Sequence, residues 1–265
     1  MPPALSIIIP CYKSEATLPD TLQSVYDQDF DHWEALIIND GSPDAVEEIA
    51  LSWAEKDSRF RYFKKINGGL GSARNRGLEE AQGLYVLPLD SDNKVDPHFA
   101  TKAINILKEH SDIGIVHGHA QYFGEKDGLW NVPKFDKYKM LSDNYIDACA
   151  IIRKVVFDTV GKYDENMPFQ GHEDWEFWIR TLYTDFGFYH LGEVCFEYRV
   201  TGNSMIRTFD DEMTEKNIEY ILNKHWKLYH THYRELLTHY NSLRKAMDQS
   251  RLLKLSKITR FFKRK

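Results

Sequence analysis

The sequence predicts an α/β fold, a parallel sheet covered by helices on both faces, followed by a long helical extension. Three observations carry this reading. Short apolar, β-branched runs recur along most of the chain. Stretches with apolar residues at helical spacing alternate with them. Toward the C-terminus the apolar positions switch to alternating steps of four and three.

"LSIIIP" (Leu5–Pro10) reads as the first buried strand, with Pro10 expected to end it. A helix follows, carrying Leu18, Leu22 and Val25 on one face, with Ser14 the expected N-cap. "WEALIIND" (Trp33–Asp40) is the second strand, and "GS" turns the chain. "DAVEEIALSWAEK" is a helix whose first-turn acids suit the helix dipole. "FRYFKK" and "GLYVLPLD" are the third and fourth strands, separated by a helix in "GSARNRGLEEAQG". A helix from beyond Asp96 to about His110 precedes the strand "IGIVHGHAQYFG". Gly124 to Asn144 is polar, aromatic and irregular, and is expected to be a flexible loop. A short helix lies in "DACAIIRKVVFDTVGKYDE". "HEDWEFWIRTLYT" is a helix with Trp175, Trp178, Ile179 and Leu182 on one side, and "GFYHLGEVCFEYRV" is a strand region. No repeat or low-complexity linker is visible.

Leu222, Trp226, Tyr229, Tyr233, Leu236, Tyr240, Leu243 and Met247 form the late seam. It predicts one long helix packed on another helix or on the body, with a homodimer as one outcome. His225, His232 and His239 also recur every seven residues. Neighbours in that set would lie roughly 10 Å apart along a helix, too far to share a metal. They read as a helix flank.

The chain has 265 residues, 42% of them hydrophobic, enough for one large domain or a domain with an appendage. A net charge of -6 gives no sign of nucleic-acid binding. Charge is uneven, however. From Ser250 onward there are seven basic residues and no acid, interleaved with Leu252, Leu255, Ile258, Phe261 and Phe262. That pattern suits a helix on an anionic membrane surface, the alternative being a frayed basic terminus. Cys11, Cys149 and Cys195 form no CxxC pair and fit a reducing compartment. No run is long and apolar enough to span a membrane, and the N-terminus lacks the basic region of a signal peptide. The expectation is a cytoplasmic protein, peripheral at the inner membrane face if the tail binds there.

Five short segments carry chemistry. "LDSDN" places Asp90 and Asp92 at the end of a buried strand, where ligands bind in open parallel sheets. Two hard oxygen ligands there favour Mg²⁺ or Mn²⁺ with substrate phosphates. A calcium loop is excluded, because Lys94 fills the fifth position and no Gly follows. A plain Asp/Ser/Asn turn is the other reading. "INGGLGSARNRG" (Ile66–Gly77) opens a helix as a phosphate cradle would, with Arg74 and Arg76 close by; otherwise it is a Gly-rich turn. It lacks the Gly-Lys-Ser/Thr of a P-loop and the third Gly of a dinucleotide fingerprint. "IINDGS" sets Asp40 at a strand end, able to accept from a ribose or a base N–H. "GHEDWEFW" sets Glu173 and Asp174 at a helix start, as caps or as a general base beside an aromatic wall.

With "SIIIPCYKSEATL" in front and "GKYDE" before "GHEDWEFWIR", these segments resemble in order and spacing the family 2 glycosyltransferases. The resemblance runs from Leu5 to Met205. It implies an inverting enzyme of the GT-A fold, with a mixed, mostly parallel sheet over residues 1–205, extended by helix over 206–265. It implies a hexosyl- or N-acetylhexosaminyl-transferase that takes a nucleotide-sugar donor, UDP-linked on family grounds. The acceptor would be a glycan or lipid-linked hydroxyl in cell-surface polysaccharide synthesis. By the same resemblance Pro10, Tyr12 and Glu15 border the nucleoside, and Asp40 holds the base. Asn67, Gly68, Arg74 and Asn75 lie near ribose and diphosphate, and Ser91 joins the nucleotide set. Asp90 and Asp92 form the DxD motif for Mn²⁺ or Mg²⁺, with Asp92 the direct ligand. Asp174 is the catalytic base, Glu173 and Trp175 face the acceptor, and Arg199 and Ser204 contact the diphosphate. The sequence departs from the pattern at Asn39, Lys13, Asn93 and Thr201, the last standing where some members carry a metal-binding His. The rival readings are a non-catalytic nucleotide-sugar or glycan-binding module, a sugar-phosphate nucleotidylyltransferase lacking its N-terminal Gly-rich loop, and a structural protein built on the long helix.

Overall fold

The computed structural model describes residues 2–202 and 210–245. Ser204, Met247 and the basic tail lie outside the described residues. Nine strands form one sheet in the order β3-β2-β1-β4-β8-β6-β9-β5, with β7 attached to β6. β1 (Leu5–Cys11), β2 (Trp33–Asn39), β3 (Phe60–Lys64) and β4 (Tyr85–Pro88) are parallel neighbours. β8 (Ile151–Arg153) runs antiparallel between β4 and β6 (Ile113–Gly124). β9 (Gly187–Val200) lies parallel to β6, and β5 (Lys94–Val95) closes the far edge.

Helices cover both faces. α1 (Leu18–Tyr26), α2 (Val46–Lys56) and α4 (Phe99–Glu109) pack on the face that buries Leu5, Ile7 and Ile9. α3 (Leu70–Glu80), α6 (Lys154–Val160) and α7 (Glu173–Thr181) pack on the face that buries Ile8, Leu36 and Ile38. Alternate residues of β1 therefore feed two separate cores, which is why the whole run is apolar.

Several local expectations are corrected. Pro10 does not end β1; the strand continues to Cys11. Ile8 O accepts from Leu89 N while Cys11 O accepts from Asp40 N, so even-numbered residues of β1 turn toward β4. Pairing with β4 stops at Ile8–Pro88, so the missing N–H of Pro10 costs no ladder bond. Ser14 is not the N-cap of α1. That position is Thr17, and the Ser14 hydroxyl is buried without a partner. The stretch from Gly124 to Asn144 is no featureless loop. It contains β7 (Gly128–Trp130), paired to β6, and α5 (Lys137–Met140), capped by the Asp136 carboxylate.

The C-terminal seam is helical but interrupted. α8 (Asp211–Lys224) and α9 (Trp226–Thr231) are separated by a turn at His225, and helix resumes at 233–245 after a second turn at His232. Two of the three heptad histidines thus stand at breaks. His225 is buried and bonded through Nε2 to Glu176 Oε1 at 2.9 Å, so it is not a plain flank.

α3 lies hard against β1. A Cβ on Gly77 would sit 2.3 Å from Ile8 Cγ2. We expect Gly77→Ala to destabilise the protein by about 1–3 kcal/mol, since overpacking outweighs the roughly 0.5–1 kcal/mol that Ala gains over Gly in a helix. Urea unfolding at neutral pH measures this. An unchanged or raised midpoint would show that the contact is slack.

Candidate active site

The C-terminal ends of β1, β2 and β4 open into a cavity of about 830 Å³. The chain order reverses between β1 and β4, and such reversal points are where open α/β sheets bind ligands.

On the β2 side, Asp40 is buried and organises the Gly-rich segment. Its Oδ1 accepts from Lys65 Nζ at 2.6 Å and Gly68 N at 3.0 Å, and its Oδ2 accepts from Gly69 N at 2.8 Å. Asn67 Nδ2 donates to the Asp40 carbonyl at 2.9 Å. Leu70 N donates to Gln170 Oε1 at 2.7 Å. The expected phosphate cradle thus carries protein acceptors on part of its amides. The amides of Gly68, Gly69 and Leu70 have protein acceptors, the Asp40 carboxylate for the first two and the Gln170 side-chain oxygen for the third. Gly69 supplies the turn at φ 90°, and a side chain there would run into Gln170. Asp40, Asn67, Pro10 and Tyr12 line the cavity. Glu15 does not; its carboxylate accepts from Ala45 N at 2.9 Å on the surface.

Arg74 is buried and spans the two halves of the site. Nη2 meets Asp90 Oδ1 at 2.7 Å, and Nη1 meets Glu173 Oε1 at 2.7 Å. Glu173 Oε2 also accepts from Gly171 N at 2.8 Å. The guanidinium expected near a diphosphate lines the cavity and is held there by two carboxylates. Asn75 stands outside the cavity: its side chain clasps the Tyr163 backbone, donating to O and accepting from N at 2.9 Å each.

The turn after β4 is held from two sides. Thr17 Oγ1 donates to Ser91 O at 2.9 Å, and Arg199 Nε donates to Asp92 O at 2.9 Å. Asn93, the residue standing in for a third acid, is buried and accepts from Arg199 N at 3.0 Å. Arg199 also pairs with Asp20 at 2.6 Å and so positions the turn rather than lining the cavity. Both Asp90 and Asp92 line it. Burial, with Asp90 nearby, pushes the Asp92 carboxyl up to about 6.

On the far side, Asp174 Oδ1 accepts from Trp175 N at 2.7 Å and from Asn144 Nδ2 at 3.1 Å. Burial and the charge of Glu173 push its carboxyl well above the usual carboxylate range. Trp175 does not wall the acceptor side. It points into the core and donates Nε1 to Met140 O at 2.7 Å. Thr201 lines the cavity together with Thr214 of α8.

One cavity acid was missed in the sequence, Asp147. It precedes β8, whose antiparallel register with β4 (Tyr85 opposite Arg153, Val86 opposite Ile152) leads the residues before it back toward the Asp90–Asp92 turn. The available signal was an acid just ahead of the apolar run "ACAII", the same grammar as "LPLD" read backwards.

α8 completes the far side. Asn217 is fully buried; its Oδ1 accepts from Phe169 N at 2.9 Å, and its Nδ2 donates to Phe169 O at 2.8 Å. Lys224 reaches Asp164 at 2.5 Å and Glu176 at 2.8 Å.

The raised proton affinity of Asp92 has a stability consequence. A carboxyl that titrates higher folded than unfolded costs nothing below its unfolded value near 3.8 and its full penalty above about 6. Asp92→Asn is therefore expected to match the parent at pH 4 and to exceed it by about 1–3 kcal/mol at pH 7. Urea midpoints at the two pH values test this; a difference independent of pH would contradict it.

Comparison with known proteins shows the family and the fold. The family model for glycosyl transferase family 2 matches residues 6–161. The chain is 31% identical to a putative teichuronic acid biosynthesis glycosyltransferase, TuaG, of Bacillus subtilis, over 77% of this chain and 81% of that one. It is 30% identical to an uncharacterized glycosyltransferase of Rickettsia typhi, over 81% of this chain and 68% of that one. Among solved structures, S. aureus TarS in complex with UDP-GlcNAc superposes with a TM-score of 0.67 at 20% identity, covering 82% of this chain and 64% of TarS. The mannosyltransferase PcManGT of Pyrobaculum calidifontis, in complex with GDP-Man and Mn²⁺, gives 0.61 at 17% identity, covering 77% of this chain and 59% of that one. The sheet order and flanking helices are those of the GT-A fold, and the chain belongs to glycosyl transferase family 2 and is a glycosyltransferase.

Proposed function

We propose that the protein transfers a sugar from a nucleotide diphosphate, uridine-linked, to a hydroxyl of a glycan or lipid-linked acceptor, with inversion. The observation that carries this reading is the pairing, across one cavity, of Asp92 and of Asp174. Among the described residues no side chain bonds the Asp92 carboxylate, and Asp174 has an elevated proton affinity. The complexes of TarS with UDP-GlcNAc and of PcManGT with GDP-Man support a nucleotide-sugar donor, and TuaG supports a role in surface polysaccharide synthesis.

The residues suit a divalent cation. Among the described residues no three His, Cys, Asp or Glu side chains gather into a metal cage. Asp90 and Asp92 could hold Mn²⁺ or Mg²⁺ only together with water and phosphate oxygens, as hard cations with nucleotides commonly bind. Such a cation supplies positive charge where the diphosphate departs.

Asp174 removes the proton of the acceptor hydroxyl as its oxygen attacks the anomeric carbon. The C–O bond to the diphosphate breaks on the opposite face. Asn144 orients the Asp174 carboxylate, and Glu173, fixed by Arg74 and Gly171 N, keeps its proton affinity high. A base with that affinity is a stronger proton acceptor once ionised.

Asp174→Asn should lower turnover by about 10²–10⁴-fold while leaving nucleotide affinity intact. In the parent, turnover should rise with pH along a limb displaced above the ordinary carboxylate range. Calorimetry with UDP, dTDP and GDP, each with and without Mn²⁺, tests the donor half. Metal-dependent binding of UDP, lost in Asp92→Ala, is expected. Binding of none of the three would sink the transferase donor assignment.

The basic tail extends the proposal to an anionic membrane. Trp226, Tyr233 and Tyr240 are more than half exposed on the helices that lead to it, and bases follow in the sequence. Removal of residues 250–265 should abolish cosedimentation with phosphatidylserine vesicles. Persistent cosedimentation, or a loss of dimer on sedimentation velocity without any change in vesicle binding, would count against the membrane role.

A further inference from the structure

Resting on the proposed donor chemistry, we propose that Asp147 binds the transferred sugar of the donor and restricts it to a neutral or amino sugar, rejecting hexuronic acids. The argument begins with position. Asp147 lines the cavity, and the β4–β8 register brings it toward the turn that carries Asp90 and Asp92. Its charge is also felt at Asp174 on the far side. A group that faces both lies between the leaving group and the base, the space the migrating sugar must occupy.

The second step is an account of partners. Asp147 Oδ1 accepts from Cys149 N at 2.8 Å, which fixes the carboxylate, and among the described residues Oδ2 has no donor. A carboxylate with open lone pairs in a half-buried site accepts from sugar hydroxyls or from an ammonium. The third step is charge. Among the described residues Arg74 is the guanidinium that lines this cavity, and Asp90 and Glu173 already neutralise it. Among the described residues, the other basic side chain that lines the cavity, Lys13, lies over the Tyr12 ring beyond the end of β1. A carboxylate on the sugar would meet Asp147 and Asp174, and like-charge juxtaposition is how a site rejects the wrong ligand.

The test compares calorimetric affinities, with Mn²⁺ present, for UDP, UDP-GlcNAc and UDP-glucuronic acid. Asp147→Asn keeps an oxygen for Cys149 N, so it preserves the local fold; Asp147→Ala removes the group, and thermal melts verify both. In the parent, UDP-GlcNAc should bind more tightly than UDP, and UDP-glucuronic acid more weakly. Asp147→Ala should weaken UDP-GlcNAc about tenfold to a hundredfold and leave UDP unchanged. Asp147→Asn should improve UDP-glucuronic acid by about tenfold or more. Equal weakening of UDP and UDP-GlcNAc would overturn the inference, because Asp147 would then serve the diphosphate or its cation. Unchanged affinity for both sugars would overturn it as well. Failure of UDP itself to bind the parent would remove the uridine reading, and the inference with it.

Discussion

The site depends on one buried guanidinium. Arg74 joins a carboxylate at the end of β4 to a carboxylate at the start of α7, so two elements distant in sequence share one cation. Asp90, Asp92, Asp147, Glu173 and Asp174 all face one cavity, and their mutual repulsion would otherwise spread it. Arginine suits this place where lysine would not. Its planar fork offers two donors in fixed directions and stays charged when buried. A buried pair is a poor source of net stability, but losing one partner costs about 3–5 kcal/mol. Arg74 therefore acts chiefly as a constraint on geometry. It holds the turn after β4 and the start of α7 at a fixed separation, the kind of preorganisation on which electrostatic catalysis relies.

Much of this was legible in the sequence because it is local. The buried strands announce themselves as apolar runs, and Asp40, Asp90 and Asp174 fall at their ends or at a helix start. What was not legible depends on pairs far apart along the chain. Asn75 reads like a ribose contact, yet the Tyr163 peptide claims both ends of its amide. Arg199 reads like a diphosphate contact, yet Asp92 O, Asn93 and Asp20 occupy it. Trp175 reads like an acceptor wall, yet helical periodicity turns it toward the core beside Trp178. Asp147 was missed for the same kind of reason. Only an antiparallel strand inserted beside β4 brings it to the site, and nothing in the local pattern tells β8 to reverse direction.

The cavity's surplus of acid explains several features together. The DxD turn would be forced apart by its own charge without restraint, and Thr17, Thr21 and Arg199 pin its backbone at successive residues. The restraint acts on main-chain atoms and leaves the Asp92 carboxylate available. Asp40 follows the other course. Its charge is spent internally, on Lys65 and two amides, and buys a rigid entry to α3. The ends of β2 and β4, on either side of β1, thus carry the same residue type in different settings, one spent on the scaffold and one left open to the cavity.

The clasp between Asn217 and Phe169 sets an order of events during synthesis. The strands and helices that contribute Asp40, Asp90 and Arg74 are complete early in the chain, and domains fold as they emerge from the ribosome. The peptide groups of Phe169, one residue before Gln170, wait for a side chain made nearly fifty residues later. The side of the cavity built on Asp40, Asp90 and Arg74 can therefore form while the far wall is still unfinished. A nascent chain reaches its working geometry only when its last helices are released.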